Sequence, residues 1–336
     1  MVSDARVATK QLIDGYGRHI SYVRLSVTDR CDLRCQYCMA EKMQFLPRAD
    51  ILTFEEIEFL ADLLIARGVK RIRLTGGEPL VRRDIADLVA RLGRKIGHGL
   101  DELTMTTNAT QLARFTPAMA AAGIRRINVS LDSLDANRFR EITRRGDLGQ
   151  VLDGIKAASA AGIAIKINMV ALKGFNDDEI ERMARWCGGE GHGLTLIETM
   201  PLGEVAERRT TRYVPLDAVL RDLSERFELI PSTRRTGGPA RYYEVPALGL
   251  SLGVITPLTN NFCAGCNRIR IAATGTIYGC LGHDQKVELR ELLRSGGRMA
   301  VDAALDLLLA GKPQRHDFDI AAATPAVARH MSVTGG

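Results

Sequence analysis

The sequence predicts an α/β fold: an incomplete (βα)6 barrel of TIM type over residues 1–200, followed by an α+β extension over 201–336. Three observations carry this reading. One local pattern recurs, in which a helical run ends in Gly and a β-rich stretch follows at once: Ala66-Arg67-Gly68 before Val69, Ala122-Gly123 before Ile124, Ala161-Gly162 before Ile163. Gly supplies the left-handed conformation that closes a helix, and the β-branched run after it reads as a strand. Strands alternating with helices imply βαβ units and a parallel sheet. The segments able to carry chemistry also follow, or lie near the ends of, these strands. That is where a parallel barrel gathers its functional groups.

Strands fall near 20–28, 70–75, 102–107, 125–132, 163–171 and 194–200. Helix starts are legible at Thr53 with Glu56 and at Asn176 with Glu179, both at capping-box spacing. After about residue 201 the rhythm changes. A helix near 215–227 leads into a stretch rich in Thr, Gly and Pro from Pro231 to Pro239, then strand-like pieces near 241–246 and 250–256. Helices are expected near 286–295 and 298–310, and Gly335-Gly336 reads as a flexible terminus on composition alone.

A hydrophobic content of 46% with 26% charged residues is that of a globular protein and argues against disorder. No apolar run approaches the roughly 20 residues that cross a bilayer. Met1 to His19 lacks the apolar centre of a signal peptide, so a cytoplasmic protein with no membrane partner is expected. Six of the seven cysteines fall in two tight groups, the arrangement of metal ligands and not of disulfides. Cys187, in Trp186-Cys187-Gly188, is expected at a helix end as a buried filler. The net charge of +6 would suit a nucleic-acid binder. However, the basic residues are scattered and only 5% of residues are aromatic, so no nucleic-acid platform is expected. Arginines serving an anionic small molecule, such as a nucleoside triphosphate, fit better.

The most informative run is Cys31-Asp-Leu-Arg-Cys35-Gln-Tyr37-Cys38, spaced C-x3-C-x2-C. Three thiolates in one loop can hold three corners of a [4Fe–4S] cluster and leave the fourth iron open to a small molecule. A zinc knuckle would favour C-x2-C pairs with a fourth ligand nearby, and no His lies within ten residues of this loop. The spacing, with Tyr37 before the third cysteine, resembles the signature of radical S-adenosylmethionine (SAM) enzymes. Thr75-Gly76-Gly77-Glu78-Pro79 follows a predicted strand and resembles the segment with which those enzymes grip the amino group of SAM.

The second group is Cys263-Ala-Gly-Cys266, then thirteen residues, then Cys280. The intervening stretch alternates like a hairpin turning at Thr274-Gly275, which would return Cys280 to the first pair. A structural zinc using His283 as fourth ligand is one reading; a second [4Fe–4S] cluster with its own open iron is the other. Directly after Cys266 comes Asn267-Arg268-Ile269-Arg270. In a strand Arg268 and Arg270 share a face and form a fork for phosphate or carboxylate oxygens.

Together with Arg24-Leu-Ser-Val-Thr-Asp-Arg-Cys31, Asn128-Val-Ser130-Leu-Asp-Ser133-Leu and the terminal Gly335-Gly336, these motifs resemble the GTP 3′,8-cyclase family of the radical SAM superfamily, from about Gly15 to the last residue. The resemblance implies a lyase of molybdenum cofactor biosynthesis. It would convert GTP and SAM to 3′,8-cyclo-7,8-dihydro-GTP, methionine and 5′-deoxyadenosine. It implies two [4Fe–4S] clusters, on Cys31/Cys35/Cys38 and on Cys263/Cys266/Cys280, the second binding the guanine base. Tyr37, Gly77, Ser130 and Met200 would line the SAM site. Arg24, Arg73, Thr106, Lys166, Arg268, Ile269 and Arg270 would contact GTP, with Arg24, Arg268 and Arg270 at the reacting centre, and the Gly-Gly tail would enter the active site. It further implies a homodimer, a one-electron donor outside the chain and hand-over to the cyclic pyranopterin monophosphate synthase step. Ala109 departs from the family, where Gly is frequent after Thr-Thr-Asn. A peptide-modifying radical SAM enzyme with an auxiliary cluster is the alternative.

Overall fold

The computed structural model describes residues 10–203, 209–322 and 324–335. The six expected strands form as β1 (Tyr22–Ser26), β2 (Arg71–Thr75), β3 (Glu102–Thr107), β4 (Arg126–Ser130), β5 (Ala164–Val170) and β6 (Gly193–Ile197). They lie parallel and in chain order. The connections carry α1 (Phe54–Ala66), α2 (Ile85–Gly93), α3 (Leu112–Ala121), α4 (Ala136–Thr143), α5 (Leu148–Ala160) and α6 (Ile180–Gly189), which holds Cys187 fully buried. Among the described residues no helix is long and apolar enough to cross a membrane.

Thr53 opens α1 with a complete capping box: its hydroxyl accepts from the Glu56 amide, and the Glu56 carboxylate accepts from the Thr53 amide. Asn176 does not cap α6, contrary to expectation. It is buried, and its side chain accepts from the Leu172 amide while donating to the carbonyls of Asp132 and Val170. Glu179 likewise turns to Ser133 Oγ and the Leu134 amide. The irregular backbone after β4 and β5 has orphan groups that must be satisfied, and these two side chains satisfy them.

The second half adds α7 (Arg209–Arg212), α8 (Leu216–Ser224), β7 (Ile230–Ser232), β8 (Arg241–Val245), β9 (Leu250–Ile255), β10 (Arg268–Ile271), β11 (Thr276–Tyr278), β12 (Lys286–Glu288), α9 (Gly297–Ala310) and α10 (Met331–Thr334). Its strands join the same sheet at both ends. β9 pairs parallel with β6 and β10 parallel with β1, each followed outward by antiparallel strands, giving the order β12-β11-β10-β1-β2-β3-β4-β5-β6-β9-β8-β7. The barrel is therefore open. The helix expected near 286–295 forms only in its second half: Lys286–Glu288 is β12, and the helical backbone starts at Arg290 and passes through a π-helical stretch at Leu292–Gly296 into α9. Lys286-Val287-Glu288 has strand alternation, and Val287 pairs with Ile277 and packs on the core.

Along each inner strand the two faces differ. Val23, Leu25, Ile72, Leu74, Leu103, Met105, Ile127, Val129 and Ile167 belong to one continuous apolar core. Between them Arg24, Arg73, Asn128 and Lys166 line a cavity. Parallel strands covered on both faces are ordinarily apolar throughout; here the inner face is polar and the interior is a binding space. Stability resides in the outer face.

Close backbone approach fixes the loop after β3. A Cβ on Gly154 of α5 would stand 2.5 Å from the Ala109 carbonyl, and Ala109 itself has φ +65°. Gly154→Ala should therefore lower stability by about 1–3 kcal/mol. Chemical denaturation checks this, and an unchanged midpoint would mean that α5 and the loop separate freely.

Candidate active site

One cavity is lined by all six clustered cysteines, by Tyr37, Gly77, Ser130 and Met200, and by Arg24, Arg73, Thr106, Lys166, Arg268, Ile269 and Arg270. The side chain of Ile269 belongs to the apolar core on the other face of β10. Strand register accounts for the gathering. Arg270, Arg24 and Arg73 are direct neighbours across β10, β1 and β2. Thr106, Asn128 and Lys166 are neighbours across β3, β4 and β5.

Adjacent strands lie about 4.8 Å apart, so three guanidiniums stand abreast, and like charges directly opposite are destabilising. Among the described residues none of these cations is in an ion pair. Glu102, whose charge is felt at Arg73, is engaged by Arg126 and Arg71. Burial, with Arg73 and Arg268 beside it, pulls Arg24 down to about 10. Burial and the neighbouring arginines also push Arg270 and Lys166 well below their usual values. Lys166 Nζ donates to the Tyr242 hydroxyl at 2.7 Å. Arg24 Nε, Arg73 Nε, Thr75 Oγ1, Thr106 Oγ1, Asn128 Oδ1 and Thr199 Oγ1 are buried without hydrogen-bond partners among the described residues. Buried polar groups are nearly always satisfied, so this interior is shaped for a polyanionic, polar ligand.

The first cysteine loop is held from several sides. The Leu33 amide donates to Cys31 Sγ at 3.4 Å, Asn108 Nδ2 approaches the same sulfur at 3.8 Å, and Arg34 donates to the Cys31 carbonyl. Burial raises all three thiols, Cys38 to about 11 against the Ser332 amide that favours its charge. Metal binding removes those protons. Tyr37 donates to Asp132 Oδ2 at 2.6 Å, and burial raises that carboxyl to about 6. The Gly-Gly turn is tied in by Gly77 N to the Thr28 carbonyl and Glu78 N to the Arg30 carbonyl. Glu78, raised to about 7 by burial, accepts from Thr107 Oγ1 and the Asn108 amide.

The second triad lies on the short turn Cys263–Gly265, on Cys266 and at the end of the β10–β11 hairpin. Burial raises the Cys266 thiol, but Arg268 and Lys312 outweigh it and lower the value overall. His283 turns away: its Nε2 meets the Arg315 carbonyl at 3.0 Å. Among the described residues no three His, Cys, Asp or Glu converge as around a single ion; the thiolates of a cubane each bind a different iron and need not converge. Both donor sets, all sulfur and shielded, fit [4Fe–4S] clusters.

Several lining residues escaped the sequence reading. His316 stacks on Phe318 with ring centroids 4.1 Å apart, faces Phe262, and has its Nε2 buried without a partner among the described residues. These rings lie in irregular chain, where no periodicity marks them. The tail also enters: Arg270 Nη1 donates to the Gly335 carbonyl at 2.5 Å. Gly335 has φ +73°, and a Cβ there would strike Thr75 Oγ1 at 1.9 Å. Gly336 lies outside the described residues.

Residues 25–187 match the radical SAM superfamily and residues 192–318 match Molybdenum Cofactor Synthesis C. The GTP 3′,8-cyclase of Erythrobacter litoralis is 58% identical over 332 residues, 98% of this chain and 100% of that protein. That of Agrobacterium fabrum is 55% identical, over 97% and 94%. Streptococcus suis SuiB bound to precursor peptide SuiA superposes with a TM-score of 0.60 at 16% identity, over 84% of this chain and 66% of SuiB, a likeness of fold alone. The chain belongs to the GTP 3′,8-cyclase family of the radical SAM superfamily.

A Cβ on Gly77 would lie 2.4 Å from the Arg30 carbonyl. Since backbone cannot swing aside, Gly77→Ala should part the Gly-Gly turn from the cysteine loop. The expected result is at least about tenfold weaker SAM binding, about 1.4 kcal/mol, by calorimetry on reconstituted protein.

Proposed function

We propose that this member of the family converts GTP and SAM to 3′,8-cyclo-7,8-dihydro-GTP, methionine and 5′-deoxyadenosine, the first step of molybdenum cofactor biosynthesis. The observation that carries the reading is the cationic row of Arg270, Arg24 and Arg73 with Lys166, buried with no ion-pair partner among the described residues in a cavity that both cysteine triads line. A triphosphate supplies the charge and the acceptor oxygens that the row lacks.

Cys31, Cys35 and Cys38 hold one [4Fe–4S] cluster, with SAM gripped by Tyr37, Gly77, Ser130 and Met200. When bound, this pair supplies a carbon-centred radical that draws a hydrogen from the substrate. Cys263, Cys266 and Cys280, in the half of the chain from 201 to 336, would hold a second [4Fe–4S] cluster, which would offer the guanine base a metal site. The chain's own work is positioning. Arg24, Arg73, Lys166, Arg268 and Arg270 fix the nucleotide's register, and Thr106 offers its unpartnered hydroxyl. Fixed register brings ribose C3′ and base C8 together, the alignment ring closure needs. The sheet and the docked tail shield the reacting carbons from water. Names of relatives at 54–58% identity support GTP over a peptide as substrate. The family resemblance supports a cytoplasmic homodimer that draws on an external one-electron donor and passes its product to the cyclic pyranopterin monophosphate synthase step.

Reconstituted protein should carry about eight irons. Incubated anaerobically with SAM, a reductant and GTP, it should yield the cyclised nucleotide with 5′-deoxyadenosine; GTP recovered intact would overturn the reading. Arg270→Ala should weaken GTP binding about tenfold to a hundredfold, the loss of one charged hydrogen-bonding group, with iron content unchanged. Cys280→Ser should abolish GTP conversion while SAM cleavage, followed by 5′-deoxyadenosine release, persists.

A further inference from the structure

We propose that Lys312 is a built-in counter-ion to the second cluster and raises its reduction potential. The inference rests on the reading of a second cluster at Cys263, Cys266 and Cys280. Lys312 is 3% exposed. Its ammonium has one hydrogen-bond partner among the described residues, Cys266 Sγ at 3.6 Å, and no ion-pair partner among them. A buried ammonium is costly unless a negative charge faces it, and a neutral thiol is only a weak acceptor. A metal-bound thiolate supplies the missing charge.

The placement is built, not incidental. Lys312 follows α9, its amide donating to the Leu309 carbonyl. Its stem lies over Gly279, where a Cβ would come within 3.4 Å of Lys312 Cβ and Cγ. The side chain thus runs from beside Cys280 to Cys266. Arg18 holds the segment in place, donating to the Cys263 carbonyl at 2.8 Å and to the Pro313 and Gln314 carbonyls at 2.7 Å. Asp14 pairs with Arg18 Nε at 2.6 Å and keeps that fork aimed. Lys312 is not among the residues that line the cavity, so it acts through the sulfur ligands and not by touching substrate.

One-electron reduction adds a negative charge to the cluster. A fixed cation at a ligand sulfur, in a medium of low dielectric, stabilises the reduced form more than the oxidised one. Lys312 is therefore a positioning charge, and its signature is a potential.

The test uses the full chain with Cys31, Cys35 and Cys38 changed to Ala, so that only the second triad holds iron, and a dithionite titration followed by electron paramagnetic resonance. Lys312→Met should lower the midpoint by at least a tenfold change in the reduction equilibrium, 59 mV for one electron. Lys312→Arg, which keeps the charge, should restore it. A Met variant that keeps its iron and its midpoint overturns the proposal, as does loss of iron in both variants, which would mark the lysine as structural. Loss of iron in the Met variant alone supports the charge requirement. A background protein that binds no iron at all sinks the second-cluster reading instead, a separate failure.

Discussion

The interior row of like charges is the constraint to which the rest of the structure answers. Arg270, Arg24 and Arg73 occupy one level of three adjacent parallel strands, and Lys166 joins them from β5. On the inner face the cost of burying them is met only in part, by the Tyr242 hydroxyl at Lys166, the Gly335 carbonyl at Arg270 and the Tyr22 ring beneath Arg73, with no ion pair among the described residues. The rest must be met by the outer face, where the same strands contribute Val23, Leu25, Ile72, Leu74 and Ile167 to a continuous apolar core. Each strand therefore divides its work by parity, stability on one side and recognition on the other. A uniformly apolar strand would give a more stable barrel with nothing inside it to bind a nucleotide, the usual exchange of stability for function.

Parity also makes register decisive. A slip of one residue would carry every arginine to the apolar face. The pairing of β1 with β10 is accordingly pinned at its entry. The amides of Ser21 and Tyr22 both donate to the Asn267 carbonyl, and Asn267 Nδ2 reaches Ser21 Oγ. That junction does more than align charges. β1 leads directly to Cys31, and β10 starts two residues after Cys266. One parallel pairing, between segments 246 residues apart in the chain, thus brings both cysteine triads and the cationic row to a single cavity.

Much of this was legible in the sequence because it depends on local chemistry. The Gly-terminated helices announced three of the six strands, β2, β4 and β5, in their observed places, and Thr53 with Glu56 signalled a cap that forms. The cysteine spacing and the Arg-x-Arg pair marked residues that do share the cavity. What escaped depends on contacts made far away in the chain. Asn176 has the spacing of a cap, yet full burial makes it serve the Asp132 and Val170 carbonyls. The 286–295 segment contains good helix formers and is helical from Arg290, yet over Lys286–Glu288 Val287 has a partner in Ile277 and the tertiary pairing prevails over propensity. His316, Phe318 and Tyr242 lie in stretches without any motif. Only the fold sets them beside the second triad or the lysine. That the second half extends the sheet at both ends, through β9 and β10, was likewise beyond reach of a reading that met it as a change of rhythm.

The docked tail follows from the same electrostatics. The last described residues approach Arg270 through a carbonyl oxygen, Gly335, which offers a dipole and no net charge. Such an acceptor satisfies one donor without neutralising the row, so the attraction for a polyanion survives the contact. Geometry restricts the residue that can do this. The position has a left-handed backbone, and a Cβ would overlap Thr75, so a side chain is excluded both by conformation and by space. Upstream, Arg329 fastens the segment by donating to the carbonyls of Cys280, Leu281 and His283. The last described segment is thus tied at one point to the Cys280 backbone and at another to the cationic row. A change that frees either anchor disturbs both.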